Sequence, residues 1–390
     1  MTAKPLTLQI PFHRADVGED EVKAVSDVIR SGWLTMGART FEFERQFARY
    51  VGASHAIAVS SCTAALHLAL EAVGVSRGDE VLVPTTTFTA TAEVVTYLGA
   101  RPVLVDIDAL TLNMDPADME RKITPRTKAV IPVHMAGMPC DMKEILEISA
   151  RHKVRVIEDA AHALPASYQG KKIGSISELT AFSFYATKTL TTGEGGMITT
   201  ESEDHARRLQ VMRLHGIARD AWKRYSAEGS WFYEVLESGF KYNLTDMQSA
   251  LGLVQLARCD EMNLVREEIS RRYTAAFKPL EAVEVPPSLS DRSTSWHLYV
   301  LRLNLDRLRI DRNKFIQELA ARGVSTSVHF IPLHLQPVYQ RDYQYKPGDL
   351  PVAEREYHRS ISLPIYSGMR DDEIEYVIWA VADVVSTWSR

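Results

Sequence analysis

Two hydrophobic periods share the first half of the chain. Between residues 19 and 31, Val22, Val25, Val28 and Ile29 fall on one helical face, and Gly32 stops the helix. Phe43, Phe47, Tyr50 and Val51 repeat that spacing as far as Gly52. Short apolar runs then take over at 55–59, 80–83, 102–105, 129–133, 154–157 and 181–185, with helical patterns between them. Runs apolar at every position suit strands buried on both faces, and their alternation with helices predicts a mainly parallel sheet covered on both sides. Residues 217–236 show no period and carry Trp222, Tyr225, Trp231 and Tyr233; they read as a long loop or hairpin, either functional or facing a partner subunit. Further on, Thr245 and Gln248 form a capping box that opens a long helix. A strand over 296–303, a helix over 313–322, an alternating strand over 324–330 and a final helix with Ile374, Val377, Ile378, Val381 and Val385 on one face complete the pattern. The expected fold is α/β: a large domain (1–260) with a mainly parallel central sheet, then a smaller C-terminal α+β domain (261–390).

Composition narrows the function classes. A chain of 390 residues, 45% hydrophobic and 24% charged, has the make-up of a globular protein, and a net charge of −5 without basic blocks points away from nucleic acid. Cys62, Cys140 and Cys259 lie far apart without metal-ligand spacing and suit a reducing compartment. The first residues, MTAKPLTLQIPFHR, contain no apolar core of signal-peptide length, and no run is long enough to span a bilayer. A soluble, cytoplasmic protein with no metal, membrane or nucleic-acid partner is expected.

Open α/β sheets bind ligands at the carboxyl ends of their strands. The 154–157 run ends on Glu158 and Asp159, and the 181–185 run delivers Lys188 just past its end. A glycine cluster, GEGGM, follows and lets the backbone pass close to something bulky. Taken singly, such a lysine is usually solvated and such an aspartate usually caps a helix. Together they suit pyridoxal 5'-phosphate, which requires a lysine amine for attachment and a carboxylate at its ring nitrogen. Ser60, Ser61, Cys62 and Thr63 join strand 55–59 to an apolar helix, a turn equally suited to a phosphate and to a plain helix cap. Phe88 beyond strand 80–83, Ser183 and His329 each have an ordinary core reading, and His134 is as readily structural as functional. His162, three residues after Asp159, shares its face if one helical turn follows. Asn243 is left at a helix entrance. The GEGG cluster does not fit the G-x-G-x-x-G of dinucleotide enzymes.

Three blocks, VIEDAAHA, SFYATKTLTTGEGGM and SGFKYNLTDMQSA, closely resemble the DegT/StrS group of nucleotide-sugar aminotransferases, which are fold-type I pyridoxal phosphate enzymes. The resemblance covers nearly the whole chain. It implies that Lys188 carries the cofactor and moves the proton, that Asp159 holds the ring nitrogen, and that His162 lies near the 3-hydroxyl. It further implies phosphate contacts from Ser183, Thr63 and the N–H near Cys62, where the family usually has glycine, with Phe88 stacked on the ring. Asn243 would reach the phosphate of a neighbouring subunit, which makes a homodimer with shared sites. The 31–37 segment would lie near the site, and His329 would face the substrate. Lysine at 188, where some relatives carry histidine and dehydrate, implies transamination from L-glutamate, released as 2-oxoglutarate, to a nucleotide-linked keto-sugar. ITPRTKAVIPVHMAG, VIEDAAHA and SGFKYNLTD look like the branch that makes UDP-4-amino-4-deoxy-L-arabinose for the lipid A of lipopolysaccharide, whereas VHFIPLHLQPVY resembles other branches. GDP- or dTDP-linked keto-6-deoxyhexoses, aminated at C4 or C3, and cyclitol ketones therefore stay open, as does a non-catalytic regulator.

Overall fold

The computed structural model describes residues 8–217 and 233–390. Most of the long loop or hairpin expected at 217–236, with Trp222, Tyr225 and Trp231, lies outside the described residues. Two helices open the chain, α1 (Glu19–Ser31) and α2 (Ala38–Val51), each closed by a glycine in the left-handed region, Gly32 and Gly52. In α2 the expected face is buried at Phe43, Phe47 and Val51. In α1 only Val28 of its face is buried, while Val22 and Ile29 stay exposed. The reason is that α1 docks through a polar residue: buried Glu21 accepts from Gln255 and Arg258.

Strands and helices then alternate. β1 (His55–Val59), α3 (Cys62–Ala72), β2 (Glu80–Pro84), α4 (Ala90–Tyr97), β3 (Arg101–Val105), α5 (Pro116–Arg121), β4 (Thr127–Val130), α6 (Met142–His152) and β5 (Arg155–Asp159) follow in order. A small hairpin, β6 (Ser167–Tyr168) and β7 (Lys171–Lys172), precedes β8 (Leu179–Ser183), β9 (Gly196–Thr200) and α7 (Glu203–Met212). Seven strands form one sheet in the order β1-β9-β8-β5-β4-β2-β3, and β9 alone runs antiparallel to its neighbours. The mainly parallel sheet is thus present, with apolar cores on both faces. Two strands end before their apolar runs do. β4 stops at Val130 because Pro132, inside the expected 129–133, has no N–H for the ladder. β8 stops at Ser183, not at residue 185, because the chain turns there to close the Lys188 N–H on the Tyr185 carbonyl at 2.9 Å.

The expected long helix after Thr245 is two helices, α8 (Asp246–Ala257) and α9 (Cys259–Phe277), and Thr245 and Gln248 form the expected capping box. Then come β10 (Val283–Glu284), β11 (Arg292–Ser293), β12 (Tyr299–Leu303), α10 (Arg312–Ala321), α11 (Pro337–Tyr343), α12 (Pro351–Arg359), β13 (Ser360–Leu363) and α13 (Asp371–Trp388). β10, β12 and β13 make a second, antiparallel sheet whose core takes in α9, α10, α13 and also Ile10 from the start of the chain. The strand expected at 324–330 does not form. That segment has one bridge at its start, Val324 with Ile10, and one at its middle, Ser327 with Ser362, and no continuous neighbour to make a ladder. No helix among the described residues is long and apolar enough to cross a membrane.

Candidate active site

A cavity of about 590 Å³ opens where β2, β5 and β8 end and α3 begins. The sheet supplies Asp159 and Ser183, α3 supplies Cys62 and Thr63, and the turn after β8 supplies Lys188; Phe88, His162 and His329 also line it. Eight of the nine expected site residues therefore converge. Asn243 does not line the cavity of its own chain. It bridges Val59, and its side-chain oxygen accepts from Lys241 Nζ at 2.6 Å.

Pleating separates the two carboxylates at the end of β5. Glu158 turns away and is fully satisfied: it accepts from Ser177, Thr180 and His134, and these partners hold it below the usual carboxylate range against the cost of burial. The His134 Nδ1 accepts the Cys140 N–H at 3.0 Å, so its proton sits on Nε2 and goes to Glu158. This is a structural histidine. Asp159 faces the cavity. Its Oδ1 accepts the Ala161 N–H at 3.1 Å and its Oδ2 accepts the Thr91 hydroxyl at 2.8 Å. Burial raises its pKa, more than those hydrogen bonds and Lys188 pull it down. A buried carboxylate short of a positive donor matches a protonated ring nitrogen. The expected helical turn to His162 is instead a tight loop, with the Ala163 N–H on the Ala160 carbonyl, and it still brings both side chains to the cavity.

Lys188 is half-buried, and its amine makes no hydrogen bond to a described residue. Burial lowers its pKa from 10.5 to about 8, offset in part by Cys62 and Asp159. About a tenth of it is thus a free amine at pH 7, far more than for an ordinary lysine. At the other end of the cavity, Ser61 Oγ caps α3 by accepting the Ala64 N–H at 3.0 Å. The N–H groups of Cys62 and Thr63 are left without an acceptor among the described residues, at the positive end of the helix. Both readings of that turn hold together: the serine caps, and two further amides stay open for an anion. The glycine cluster also finds its reason. A Cβ on Gly196 would lie 2.5 Å from the Ser61 backbone, so the bulky neighbour is the phosphate-type turn itself. The lysine, the aspartate and the open helix end are the three elements that pyridoxal phosphate needs, and the residues fit it.

Four histidines surround Lys188. His162 and His297 pack ring on ring at 4.3 Å, and His162 also stacks on Phe330 at 6.0 Å. Burial, followed by the lysine's charge, drives both well below the normal histidine range. His329 stacks on Phe12 at 5.5 Å, pairs its Nδ1 with Ser362 Oγ at 2.8 Å and is lowered to about 4 by burial. Phe88 is 60% exposed at the mouth, 6.0 Å from the Phe330 ring. No three His, Cys, Asp or Glu side chains among the described residues converge as a metal set. Sequence reading missed Thr91, His297, Phe330, Phe12 and His13. Thr91 had a local signal, being one helical turn from Thr87, whose hydroxyl lies 2.8 Å away. The others arrive from the two ends of the chain, with no local pattern to mark them.

Comparison with known proteins agrees with this geometry. Residues 15–382 match the model of the DegT/DnrJ/EryC1/StrS aminotransferase family. An uncharacterised protein of Methanocaldococcus jannaschii is 51% identical over 377 residues, covering 97% of this chain and 98% of its own. The spore coat polysaccharide biosynthesis protein SpsC of Bacillus subtilis is 48% identical, covering 96% and 97%. Among solved structures, the proposed sugar aminotransferase Spr1654 of Streptococcus pneumoniae, known in pyridoxal phosphate and pyridoxamine phosphate forms, superposes with a TM-score of 0.91 at 34% identity, with 97% of this chain covered in both and 99% and 98% of the other chain respectively. The Helicobacter pylori aminotransferase PseC, involved in pseudoaminic acid biosynthesis, gives a TM-score of 0.91 at 28% identity, covering 97% and 100%.

Proposed function

From a chain that belongs to the DegT/DnrJ/EryC1/StrS aminotransferase family, with pyridoxal phosphate as its cofactor, we propose an enzyme that moves the amino group of L-glutamate onto a nucleotide-linked keto-sugar, at C4 of a UDP-4-keto sugar. The observation that carries this reading is the convergence of Lys188, Asp159 and the open start of α3 on one cavity. SpsC and PseC, named for polysaccharide and amino-sugar biosynthesis, support a sugar as acceptor.

Each residue then has a role. Lys188 would hold the cofactor through its amine, and the same amine, lowered by burial to about 8, would carry the proton away from the substrate carbon. Asp159 would keep the ring nitrogen protonated, and the hydrogen bonds from Thr91 and Ala161 favour its ionised form and aim it. Ser183, Thr63 and the Cys62 amide hold the phosphate, completed by Asn243 of a second copy, so the working unit is a homodimer. His162 holds the 3-hydroxyl, and its neutral state lets it accept or donate there without a second charge. Phe88 covers the ring, and His329 faces the sugar. Bound in this frame, pyridoxal phosphate supplies an electron-withdrawing ring that stabilises negative charge on the substrate carbon.

The test is a visible absorption spectrum of the purified holoprotein before and after L-glutamate, followed by a panel of UDP-, GDP- and dTDP-linked keto-sugars. A yellow band that bleaches with glutamate and returns with a UDP-4-keto sugar is the expected result. A yellow protein indifferent to glutamate would assign another donor, and restoration by none of the sugars would remove the acceptor.

A further inference from the structure

His13 belongs to none of the motifs above, yet it lines the cavity beside Lys188. The segment that carries it is fixed on three sides. Ile10 exchanges backbone hydrogen bonds with Gly323 and Ser325 at 2.8 and 3.0 Å. Phe12 stacks on His329, and Arg14 pairs with buried Glu373 at 3.5 Å. The His13 ring meets Tyr366 edge-on at 6.0 Å, and its Nε2 lies 3.0 Å from the Ala186 carbonyl, two residues before Lys188.

That last contact determines the tautomer. A carbonyl only accepts, so Nε2 carries the proton and Nδ1 is left bare. Nδ1 has no partner among the described residues. Burial, with the positive charges of Arg266 and Lys188, lowers the ring's pKa to about 4, so at neutral pH it stays neutral in this one form. His13 therefore lines the cavity with a ring whose one unpaired nitrogen is an acceptor. The two substrates differ in what they offer in return. Away from its reacting amine, L-glutamate has only carboxylate oxygens, which repel another lone pair. A keto-sugar has hydroxyl groups, which donate.

Resting on the reading of a nucleotide-linked keto-sugar as acceptor, we propose that His13 is a specificity-determining residue whose Nδ1 accepts a hydrogen bond from a ring hydroxyl of that sugar and that contributes nothing to the amino donor. The test uses the holoenzyme and its His13→Gln variant, whose amide N–H still reaches Ala186 while the ring acceptor is gone. In the variant the KM for a UDP-linked 4-keto pentose, and the dissociation constant of the corresponding UDP-amino-sugar by calorimetry, should each rise about tenfold, while the KM for L-glutamate stays within about twofold. Equal losses for both substrates would make His13 a latch on the lysine turn and overturn the proposal; so would no change in either. A wild-type enzyme that aminates no nucleotide-linked keto-sugar would instead remove the reading beneath it, and that is measured before any variant is made. If His13→Gln does not fold, monodeoxy analogues of the sugar assayed with the wild type decide the matter. One of them must bind about tenfold more weakly, and uniform binding by all would overturn the assignment.

Discussion

Thr91 sets how acidic a medium the site tolerates. Its hydroxyl is one of two donors that hold Asp159 down, in a place where burial pushes that carboxyl up. Removing the hydroxyl while keeping the shape, as in Thr91→Val, leaves Oδ2 without a donor. The carboxyl then protonates at higher pH, and a neutral Asp159 no longer keeps a ring nitrogen charged. The acid limb of the pH–rate profile should accordingly move upward by about one pH unit, the equivalent of one hydrogen bond to a charged group, with the plateau rate less affected. A limb that stays in place would show that another group governs it. The low pKa of Lys188 has a related origin: burial is its largest cause, and the surrounding histidines, all kept neutral, add no positive charge that would lower it further.

At the scale of elements, Asp246 joins pieces far apart in the chain. Buried at the start of α8, it accepts the Gly37 and Thr40 N–H groups and the Thr40 hydroxyl at 2.7–3.0 Å, and the Arg39 N–H at 3.2 Å. A Cβ on Gly37 would lie 2.8 Å from its carboxylate, so glycine is needed there for room. Asp246→Ala strands three backbone donors and a hydroxyl, and should cost about 2–4 kcal/mol, read as a lower denaturant midpoint at unchanged slope. Because the same residue follows Asn243 by three, the variant should also bind cofactor less well. This element shows what the sequence made legible. The strands β1, β2, β3 and β5 stand out as apolar runs, and Thr245 and Gln248 mark the start of α8, since each signal lies within a few neighbours. The lock between Asp246 and residues 37–40 has no local signature. Nor could alternation at 324–330 distinguish a strand from an extended cavity wall, because the difference lies in what runs alongside. Lys188, Asp159 and Cys62-Thr63 were legible because strand ends and helix starts in a parallel sheet share one edge; His13 and His297 were not, because a second core folds them over that edge.

At the scale of the whole molecule, a single copy leaves Asn243 outside its own cavity, and the proposed dimer can be tested by complementation. Lys188→Ala alone should lose transamination by about 10⁴-fold or more, as expected when the proton carrier goes. Asn243→Ala alone should hold cofactor more weakly by about 1–3 kcal/mol. Unfolding and refolding the two variants together creates mixed dimers, in which the site that keeps Lys188 receives an intact Asn243 from the other chain. Activity above that of either variant at limiting cofactor is the expected outcome; no gain on mixing would confine each site to one chain. The sheet order has a consequence for how such a molecule is made. Among the described strands β1 has β9 as its one neighbour, Ile57 against Ile198, and its isolated bridge from Val59 to Asn243 lies later still, so the strand leading into the turn at residues 60–63 has no partner until the ribosome has passed Thr200. Closing so long a loop is slow, and the earliest-synthesised half of the cofactor cradle must wait for nearly the last strand of its domain. A nascent chain therefore cannot take up its cofactor before β9 has emerged: capture belongs to the completed sheet, and until then β1 is a free edge that a chaperone has reason to hold.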